Sequence, residues 1–411
     1  MLLSRCRREK PAGLNHYLGT EGYQALEKAL AAGSAQVIAE VETSALLGRG
    51  GAEFPTGMKW KFTAQQEEMP KFIVCNADEG EPGTFKDKLL LDRDPHRIIE
   101  GMAIAGFAVG AEKGFLYVKG EYKDTLKSLH EAIAEAKKSG YLGQDILGSS
   151  FHFSIELRAG AGSYIVGEET ALLESIEGKR GITRSKPPFP TQYGLFGKPT
   201  VINNVETLAN IPDIILKGGA WYKSLGVEGA SGTKLFSLSG MVKKPGIYEL
   251  ELGKRSLRDL ICRLGEGMEG ERRLKAVLPG GASTGFLTEE HLDIILDFAS
   301  VKQAGSSLGS GGVLVFDESV SIPALVKHLF EFYLDESCGR CAPCRIGTKR
   351  ISEALERLLS HKASHADLEQ MKSLAEFMQI SAACGLGSAS PNPLLSSLRL
   401  FAGEYEALLK G

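Results

Sequence analysis

The chain has 411 residues, of which 43% are hydrophobic and 24% are charged, and its formal net charge is −3. This length indicates two to three domains, and the nearly balanced charge argues against binding to nucleic acid. No apolar run reaches the roughly 18 residues that a membrane-spanning helix needs, so we expect no direct membrane insertion. Four of the seven cysteines are grouped, and no secretory signal follows the basic residues Arg5, Arg7 and Arg8, which together predict a cytoplasmic protein.

The first half of the chain predicts an α/β domain over residues 1–225. A polar helical segment covers residues 1–45 and a glycine-rich loop follows at 48–57. Beyond this loop, segments with strand character alternate with helical ones, an order typical of α/β domains. The predicted strands are 71–75, 114–118 and 151–157, and the predicted helices are 95–111, 122–138, one after residue 163 and one after residue 203.

The second half predicts two smaller modules. Residues 230–318 contain four short strands around one helix at 257–264, which predicts an α+β module of the ubiquitin-like β-grasp type. Residues 320–411 show helical periodicity in four segments and predict an all-α helical bundle. The predicted strands are 233–239, 246–252, 275–278 and 312–316, and the predicted bundle helices are 324–334, 345–359, 367–380 and 393–409.

Four cysteines carry the most specific chemical signal. Cys338, Cys341 and Cys344 lie at a spacing of three in the run ESCGRCAPCR, and Cys384 follows forty residues later. Four thiolates at such a spacing are typical ligands of a [4Fe–4S] cluster, which we expect the bundle to hold. A zinc site remains the alternative, although zinc sites usually use two C-x₂-C pairs.

The glycine-rich loop is a candidate phosphate site. Gly50 and Gly51 leave backbone N–H groups accessible, and Arg49 and Lys59 supply positive charge. The loop matches neither the Rossmann nor the P-loop pattern, and a loop without a ligand is the plain alternative. Phe54 and Phe62 can stack on an aromatic ligand, whereas we expect Trp60 to pack in the core.

Four further polar segments follow. The acidic loop after the first strand suits ribose hydroxyls and flavin N–H groups, although such a loop is often only solvated or binds a cation. Glu168 and Glu169 begin a helix and could merely compensate its dipole, and the asparagine pair at 203–204 could cap a helix or receive a phosphate. The candidate residues in these segments are Asn76, Asp78, Glu79 and Glu81, then Tyr164, Gly167, Glu168 and Glu169, then Lys186 and Phe189, and finally Asn203, Asn204 and Thr207.

Taken in this order, the segments and the ESCG-x-C-x-P-CR motif resemble the flavoprotein subunit through which NADH electrons enter respiratory complex I. They are equally similar to the diaphorase subunits of NAD(P)-linked hydrogenases and formate dehydrogenases. The resemblance covers residues 45–409, and the tail after Cys384 is closest to the hydrogenase and formate dehydrogenase branch. It implies FMN, a [4Fe–4S] cluster and NAD(H) as cofactors.

The resemblance also implies the residues of each site. No side chain acts as a catalytic acid or base, because FMN itself transfers the hydride. The implied FMN residues are Arg49, Gly50, Gly51, Lys59, Asn76, Asp78, Glu79, Glu81, Tyr164, Gly167, Glu168, Asn203, Asn204 and Thr207. The implied NADH residues are Phe54, Phe62, Glu81, Glu169, Lys186 and Phe189, and the implied cluster ligands are Cys338, Cys341, Cys344 and Cys384.

The expected function is therefore NADH:acceptor oxidoreductase in a hydrogenase or formate dehydrogenase complex, which could be electron-bifurcating. The implied partners are a thioredoxin-like [2Fe–2S] subunit and a larger Fe–S or catalytic subunit. The alternatives are the NADH-oxidising subunit of complex I, a flow of electrons in the opposite direction, and a non-catalytic scaffold stabilised by zinc. The sequence departs from the family pattern twice, with Glu53 in place of a glycine and Val166 in place of a cysteine.

Overall fold

The computed structural model describes residues 1–6 and 13–410. Residues 7–12 of the predicted N-terminal helical segment, including Arg7 and Arg8, lie outside the described residues. The first half forms a four-stranded sheet in the order β3-β2-β1-β4, and every neighbouring pair is parallel. Its strands are β1 (Phe72–Ala77), β2 (Lys113–Val118), β3 (Ser154–Ala159) and β4 (Thr200–Asn204).

Helices cover this sheet and confirm the α/β prediction. Nearly every residue of the helix Pro95–Val109 is buried, which agrees with its almost continuous apolar sequence. The helices are α1 (Leu2–Arg5), α2 (Leu14–Leu18), α3 (Gln24–Ala32), α4 (Ser34–Thr43), α5 (Thr56–Ala64), α6 (Lys86–Arg93), α7 (Pro95–Val109), α8 (Lys123–Lys138), α9 (Glu169–Ile176), α10 (Val205–Lys217) and α11 (Gly219–Ser224).

The middle of the chain forms a mixed β module. Its main sheet has the order β8-β7-β10-β9, in which β7 and β10 are parallel and both outer pairs are antiparallel. The helix predicted at 257–264 is present, and its residues Asp259–Leu264 form a π-helix. The other elements are β5 (Gly226–Val227), β6 (Ala230–Ser231), β7 (Thr233–Gly240), β8 (Gly246–Glu251), β9 (Leu274–Leu278), α12 (Phe298–Gln303) and β10 (Gly312–Asp317).

The C-terminal region is helical, as predicted. The single helix predicted at 393–409 is wrong, because the chain leaves helical geometry at Phe401, whose ring packs edge-on against Phe286. The helices are α13 (Ile322–Glu336), α14 (Ala342–Leu359), α15 (His365–Ser381), α16 (Gly385–Ala389), α17 (Asn392–Leu400) and α18 (Ala402–Glu406). Among the described helices of the whole chain, none has both the length and the apolar character to cross a membrane.

Two elements near the candidate site were not predicted. The segment read as an acidic loop ends in α6, which begins at Lys86 because the Glu79 carboxylate accepts hydrogen bonds from the Asp87 and Lys88 amides at 2.8 and 3.1 Å. Strand β4 was overlooked because it is only five residues long and ends in two asparagines. Both elements nevertheless bring predicted site residues to the same end of the sheet.

Candidate functional site

The predicted polar segments meet at the carboxyl ends of β1 and β4. These strands are neighbours, and Asn76 on β1 is in register with Asn204 on β4. The glycine-rich loop closes over the same point, since a Cβ added to Gly50 would lie 3.1 Å from the Asn204 Cβ. In open α/β sheets this edge is where ligands bind.

Asp78 is the strongest candidate in this cleft for a carboxylate that binds a ligand. It is buried, and among the described residues neither of its carboxylate oxygens has a hydrogen-bond partner. Burial raises the pKa of Asp78 to about 7, although the nearby Lys119 opposes this shift. A buried acceptor without a donor costs free energy, and the imide N–H of a flavin ring is a donor that would satisfy it. The residues present therefore fit FMN.

Other predicted site residues already bind within the protein and fix the walls of the cleft. Glu168 caps α9 by accepting hydrogen bonds from the Thr170 and Ala171 amides at 2.8 and 3.0 Å. Asn204 caps α10 through the Glu206 amide at 2.9 Å. Together with the capping of α6 by Glu79, three helices begin at residues of the cleft, which makes its geometry rigid.

The predicted asparagines, Thr207 and Trp60 make hydrogen bonds between the elements that surround the cleft. Trp60 is fully buried, as expected, and its Nε1 donates to the Asn203 Oδ1 at 2.9 Å. Asn76 Nδ2 donates to the Gly167 carbonyl at 2.9 Å, and the Thr207 hydroxyl accepts from the Arg49 amide at 2.9 Å. These bonds tie the glycine-rich loop, β1, β4 and the segment before α9 together.

The two predicted cations of the glycine-rich loop have different surroundings. The Arg49 guanidinium is completely buried and donates to the Tyr222 hydroxyl and the Ser231 carbonyl at 3.1 and 2.8 Å, towards the β module. Its Nε and Nη1 have no hydrogen-bond partner in the part of the chain that the structure describes. Lys59 donates to the Ile202 carbonyl at 3.1 Å and lies 3.7 Å from Glu169, and burial lowers the pKa of Lys59.

The residues expected on the nucleotide side comprise a charged group and three exposed rings. Lys186 bridges Glu168 and Glu169, with its Nζ 2.9 and 2.6 Å from their oxygens. Phe54, Phe62 and Phe189 expose 42%, 39% and 53% of their surface. Large exposed aromatic rings are costly without a partner, so they are available for stacking on a base.

Glu81 connects the cleft to the β module. Its carboxylate accepts hydrogen bonds from the Tyr164 hydroxyl and, at 2.9 and 2.8 Å, from the amide and hydroxyl of Ser283. Burial raises the pKa of Glu81. Sequence reasoning overlooked Ser283, although the glycine-rich turn around it, Pro279 to Thr284, was a visible signal of close backbone approach.

Glu53 is the first departure from the family pattern. The backbone conformation at this position explains why a glycine is usual there. Its φ is +57°, in the left-handed region that favours glycine. The charges acting on its carboxyl come from Lys234, Lys302 and Arg49, while burial raises the pKa of Glu53. The side chain therefore faces cations at the junction with the β module. The second departure, Val166, is buried in an apolar cluster that includes Cys344.

The four predicted cluster cysteines come together at the edge of this same apolar cluster. Cys344 is buried, while Cys338, Cys341 and Cys384 are partly buried around it. The fit is close at Gly387, where an added Cβ would lie 3.0 Å from the Cys344 Cβ. In the described residues no three Cys, His, Asp or Glu side chains converge on one ion-sized point. Three cysteines at a spacing of three together with one remote cysteine are a donor set that fits a [4Fe–4S] cluster.

A segment of the α/β domain links the two sites. The Glu336 carboxylate, two residues before Cys338, accepts hydrogen bonds from the Tyr164 amide at 2.8 Å and the Ser163 hydroxyl at 3.2 Å. Tyr164 in turn binds Glu81 in the cleft. The cleft and the cysteine loop are thus held at a fixed distance by one short segment.

Comparison with known proteins agrees with this arrangement. Residues 41–213 match the family model of the Nuo51 FMN-binding domain, and residues 324–408 match that of the NADH-ubiquinone oxidoreductase-F iron-sulfur binding region. The HndC subunit of the NADP-reducing hydrogenase of Solidesulfovibrio fructosivorans is 46% identical over 97% of this chain and 81% of its own length. The second F-type subunit of the NADH-quinone oxidoreductase of Rhizobium meliloti is 47% identical over 96% of this chain and 94% of its own length.

This chain belongs to that flavoprotein family. A crystal structure of an NAD⁺-reducing [NiFe]-hydrogenase in the H₂-reduced state superimposes with a TM-score of 0.87 at 36% identity, covering 99% of this chain and 66% of the hydrogenase chain. The resemblance inferred from the sequence is confirmed, as are FMN and a [4Fe–4S] cluster as cofactors and an oxidoreductase activity on NADH. The zinc-stabilised, non-catalytic alternative is thereby excluded.

Proposed function

We propose that this chain is the NADH-oxidising subunit of a cytoplasmic hydrogenase or formate dehydrogenase complex. One form of this proposal is a complex that performs electron bifurcation. The observation that carries the flavin part of this proposal is the buried Asp78 carboxylate with two unsatisfied oxygens at the carboxyl end of the sheet. When bound, FMN accepts a hydride from NADH and gives up the electrons one at a time. The protein contributes binding, orientation and exclusion of water.

The flavin site is assigned to residues of the first module, 1–225. Asp78 and Asn76 would receive the polar edge of the ring, and the backbone of Gly50 and Gly51 would face the phosphate, near the start of α10. The remaining members wall the cleft or position these groups through the bonds described above. They are Arg49, Lys59, Glu79, Glu81, Tyr164, Gly167, Glu168, Asn203, Asn204 and Thr207.

The nucleotide site is assigned to the open side of the cleft. The exposed rings of Phe54, Phe62 and Phe189 would stack on the dinucleotide, and Glu169 and Lys186 would contact its sugar and phosphates. Glu81 would contact the dinucleotide from the side of the cleft that adjoins the β module.

The middle and last modules complete the assignment. The sheet order β8-β7-β10-β9, with its central strands parallel, supports a ubiquitin-like β-grasp at 230–318. Residues 320–411 would hold the cluster through Cys338, Cys341, Cys344 and Cys384. The partners would be a thioredoxin-like [2Fe–2S] subunit beside the flavin domain and a larger Fe–S or catalytic subunit beside the helices.

A specific observation favours the second candidate, a subunit of complex I. Several F-type subunits of NADH-quinone oxidoreductases are as similar to this chain as HndC is. Their identity is 44–47% over 95–100% of the length of this chain. Purification of the native complex and identification of its subunits would separate the candidates. A hydrogenase or formate dehydrogenase chain supports the first, and quinone-reducing membrane subunits support the second.

An anaerobic absorption spectrum of the purified chain, with iron and flavin analysis, tests the proposal directly. We expect flavin bands, broad Fe–S absorption, about four irons per chain, and reduction of an artificial dye by NADH. A colourless protein, or one that holds flavin without reducing dyes from NADH, would contradict it.

A further inference from the structure

Exposed cations surround the cysteine loop. Residues 335–350 contain the four cations Arg340, Arg345, Lys349 and Arg350 against the two acids Asp335 and Glu336, and Glu336 is engaged by Tyr164. Of these cations only Arg350 has an ion-pair partner in the part of the chain that the structure describes, namely Glu353. Within residues 335–350 the positive charge is therefore only partly compensated.

Two arginines are tied to the cysteine loop itself. Arg345 Nη1 donates to the Gly339 carbonyl at 2.5 Å, and Arg180, which comes from the α/β domain, donates to the Cys338 carbonyl at 3.4 Å. Arg340 donates to the Ser185 hydroxyl at 2.8 Å. Each of the three side chains is exposed. These bonds hold the cations over the loop in a defined pattern instead of leaving them mobile.

An apolar face adjoins the cations. Helices α14 and α15 are joined by residues 360–364 and run antiparallel, and they touch where a Cβ added to Gly347 would meet the Met378 sulfur. The residues just before these contact points, Ile346 and Phe377, lie on the same side of the helix pair, and Ile380 is one turn along from Phe377. Their exposed fractions are 49%, 53% and 85%.

We infer that this surface, which we call the cysteine-loop surface, docks an acidic protein that carries one electron at a time. It consists of Arg180, Arg340, Arg345, Lys349, Ile346, Phe377 and Ile380. The occupant follows from charge complementarity together with the position of the surface, because Cys338, Cys341 and Cys384 are partly exposed beside it. An apolar centre with a charged rim is the usual anatomy of a protein interface. This inference rests on the proposed function, since it names the partner that receives the electrons.

The test uses two electron acceptors of opposite charge with the flavin- and cluster-loaded chain. The acidic probe is plastocyanin and the basic probe is mitochondrial cytochrome c. In each assay one NADH gives NAD⁺ and one proton, and its two electrons reduce two Cu(II) to Cu(I) or two Fe(III) haems to Fe(II). We expect faster reduction of plastocyanin at low salt and a steep loss of that rate as ionic strength rises.

The decisive variant is Arg340→Glu with Lys349→Glu, which leaves the loop-holding Arg345 in place. We expect it to slow plastocyanin reduction about tenfold or more at low salt and to speed up cytochrome c reduction. The matched control, Lys223→Glu with Lys254→Glu, changes the net charge equally on exposed residues elsewhere and should alter neither rate by more than about twofold. Ile380→Gln should slow plastocyanin reduction at every salt concentration.

Reduction of a small neutral dye by NADH separates the two levels of the proposal. A chain that does not reduce the dye would overturn the proposed function and this inference with it. A chain that reduces the dye normally but treats both proteins alike, or shows no salt dependence, would overturn the docking surface alone. If the double variant reduced plastocyanin and cytochrome c more slowly to the same extent, the cations would act only on the cluster. That result would also overturn the docking surface.

Discussion

The flavin cleft and the cysteine loop are built in contrasting ways. In the cleft, Glu79, Glu168 and Asn204 each cap the beginning of a helix, so the walls are fixed by bonds within the protein. In the loop, Cys341 and Cys384 lie at the beginnings of α14 and α16, and neither makes a side-chain capping bond. The walls of the cleft are therefore preorganised by helix caps, whereas the loop is held by arginine bonds to its carbonyls and would gain a further crosslink from the cluster.

Cys384→Ser should break the loop without breaking the cleft. We expect the Fe–S absorption and paramagnetic signal to disappear while about one FMN per chain remains, because a cubane needs four ligands and the flavin residues lie elsewhere. Iron analysis and visible spectroscopy check both halves. Cys262→Ser, at an isolated exposed cysteine, is the matched control and should change neither. Four irons per chain in the Cys384 variant would disprove the ligand assignment.

Asp78→Asn should weaken the cleft's hold on FMN. Hydrogen bonds to charged groups contribute about 1.5–3 kcal/mol each, so we expect FMN affinity to fall roughly 10- to 100-fold in a fluorescence titration of the flavin-free chain. The same substitution should stabilise the flavin-free chain, because it removes a buried carboxylate whose oxygens have no partner. Opposite signs for affinity and stability distinguish a ligand-binding role from a structural one.

The pH dependence of stability gives an independent check on Asp78. Its pKa is about 7 in the folded chain and about 3.9 in an unfolded one, so folding favours the protonated form. Its contribution to stability is complete below about pH 4 and is lost as the pH rises through about 7. Thermal melts of the flavin-free chain should show this loss, and Asp78→Asn should reduce it.

The contrast also explains which features of the fold and the site could be predicted from the sequence. Strands β1 and β2 and the grouping of the four cysteines depend on local patterns, namely apolar runs and ligand spacing, and they were predicted. Helix α6 was missed because its cap, Glu79, acts from a position before the helix and outside any local capping motif. The bond between Glu81 and Ser283 joins residues 202 apart in sequence, and the bond from Arg49 to the Ser231 carbonyl depends on the β module. Contacts of this kind leave no local signal.

Glu169→Gln should sharpen the account of the nucleotide side. Lys186 and Lys59 lower the pKa of Glu169 against the effect of burial, so it is anionic at neutral pH. An anion beside the ribose disfavours the 2′-phosphate of NADPH, but the two lysines offset part of its charge. We therefore expect wild type to prefer NADH and the variant to relax the preference by roughly two- to tenfold. The ratio of kcat/KM for NADH and NADPH measures this, and equal use of both by wild type would contradict it.

Glu53→Gly should have the smallest effect, because the charges that act on its carboxyl are Lys234, Lys302 and Arg49, none of which belongs to the proposed nucleotide site. We expect the KM for NADH to change by less than about twofold. In stability, glycine relieves a left-handed conformation that costs roughly 1–2 kcal/mol. It also removes an anion near the buried Lys234, whose pKa burial lowers to about 8, so the two effects oppose each other. Glu53→Ala is the matched variant, since it loses the charge and keeps the strain, and it should melt at a lower temperature than Glu53→Gly. A large rise in KM that both variants share would place the carboxylate at the nucleotide after all.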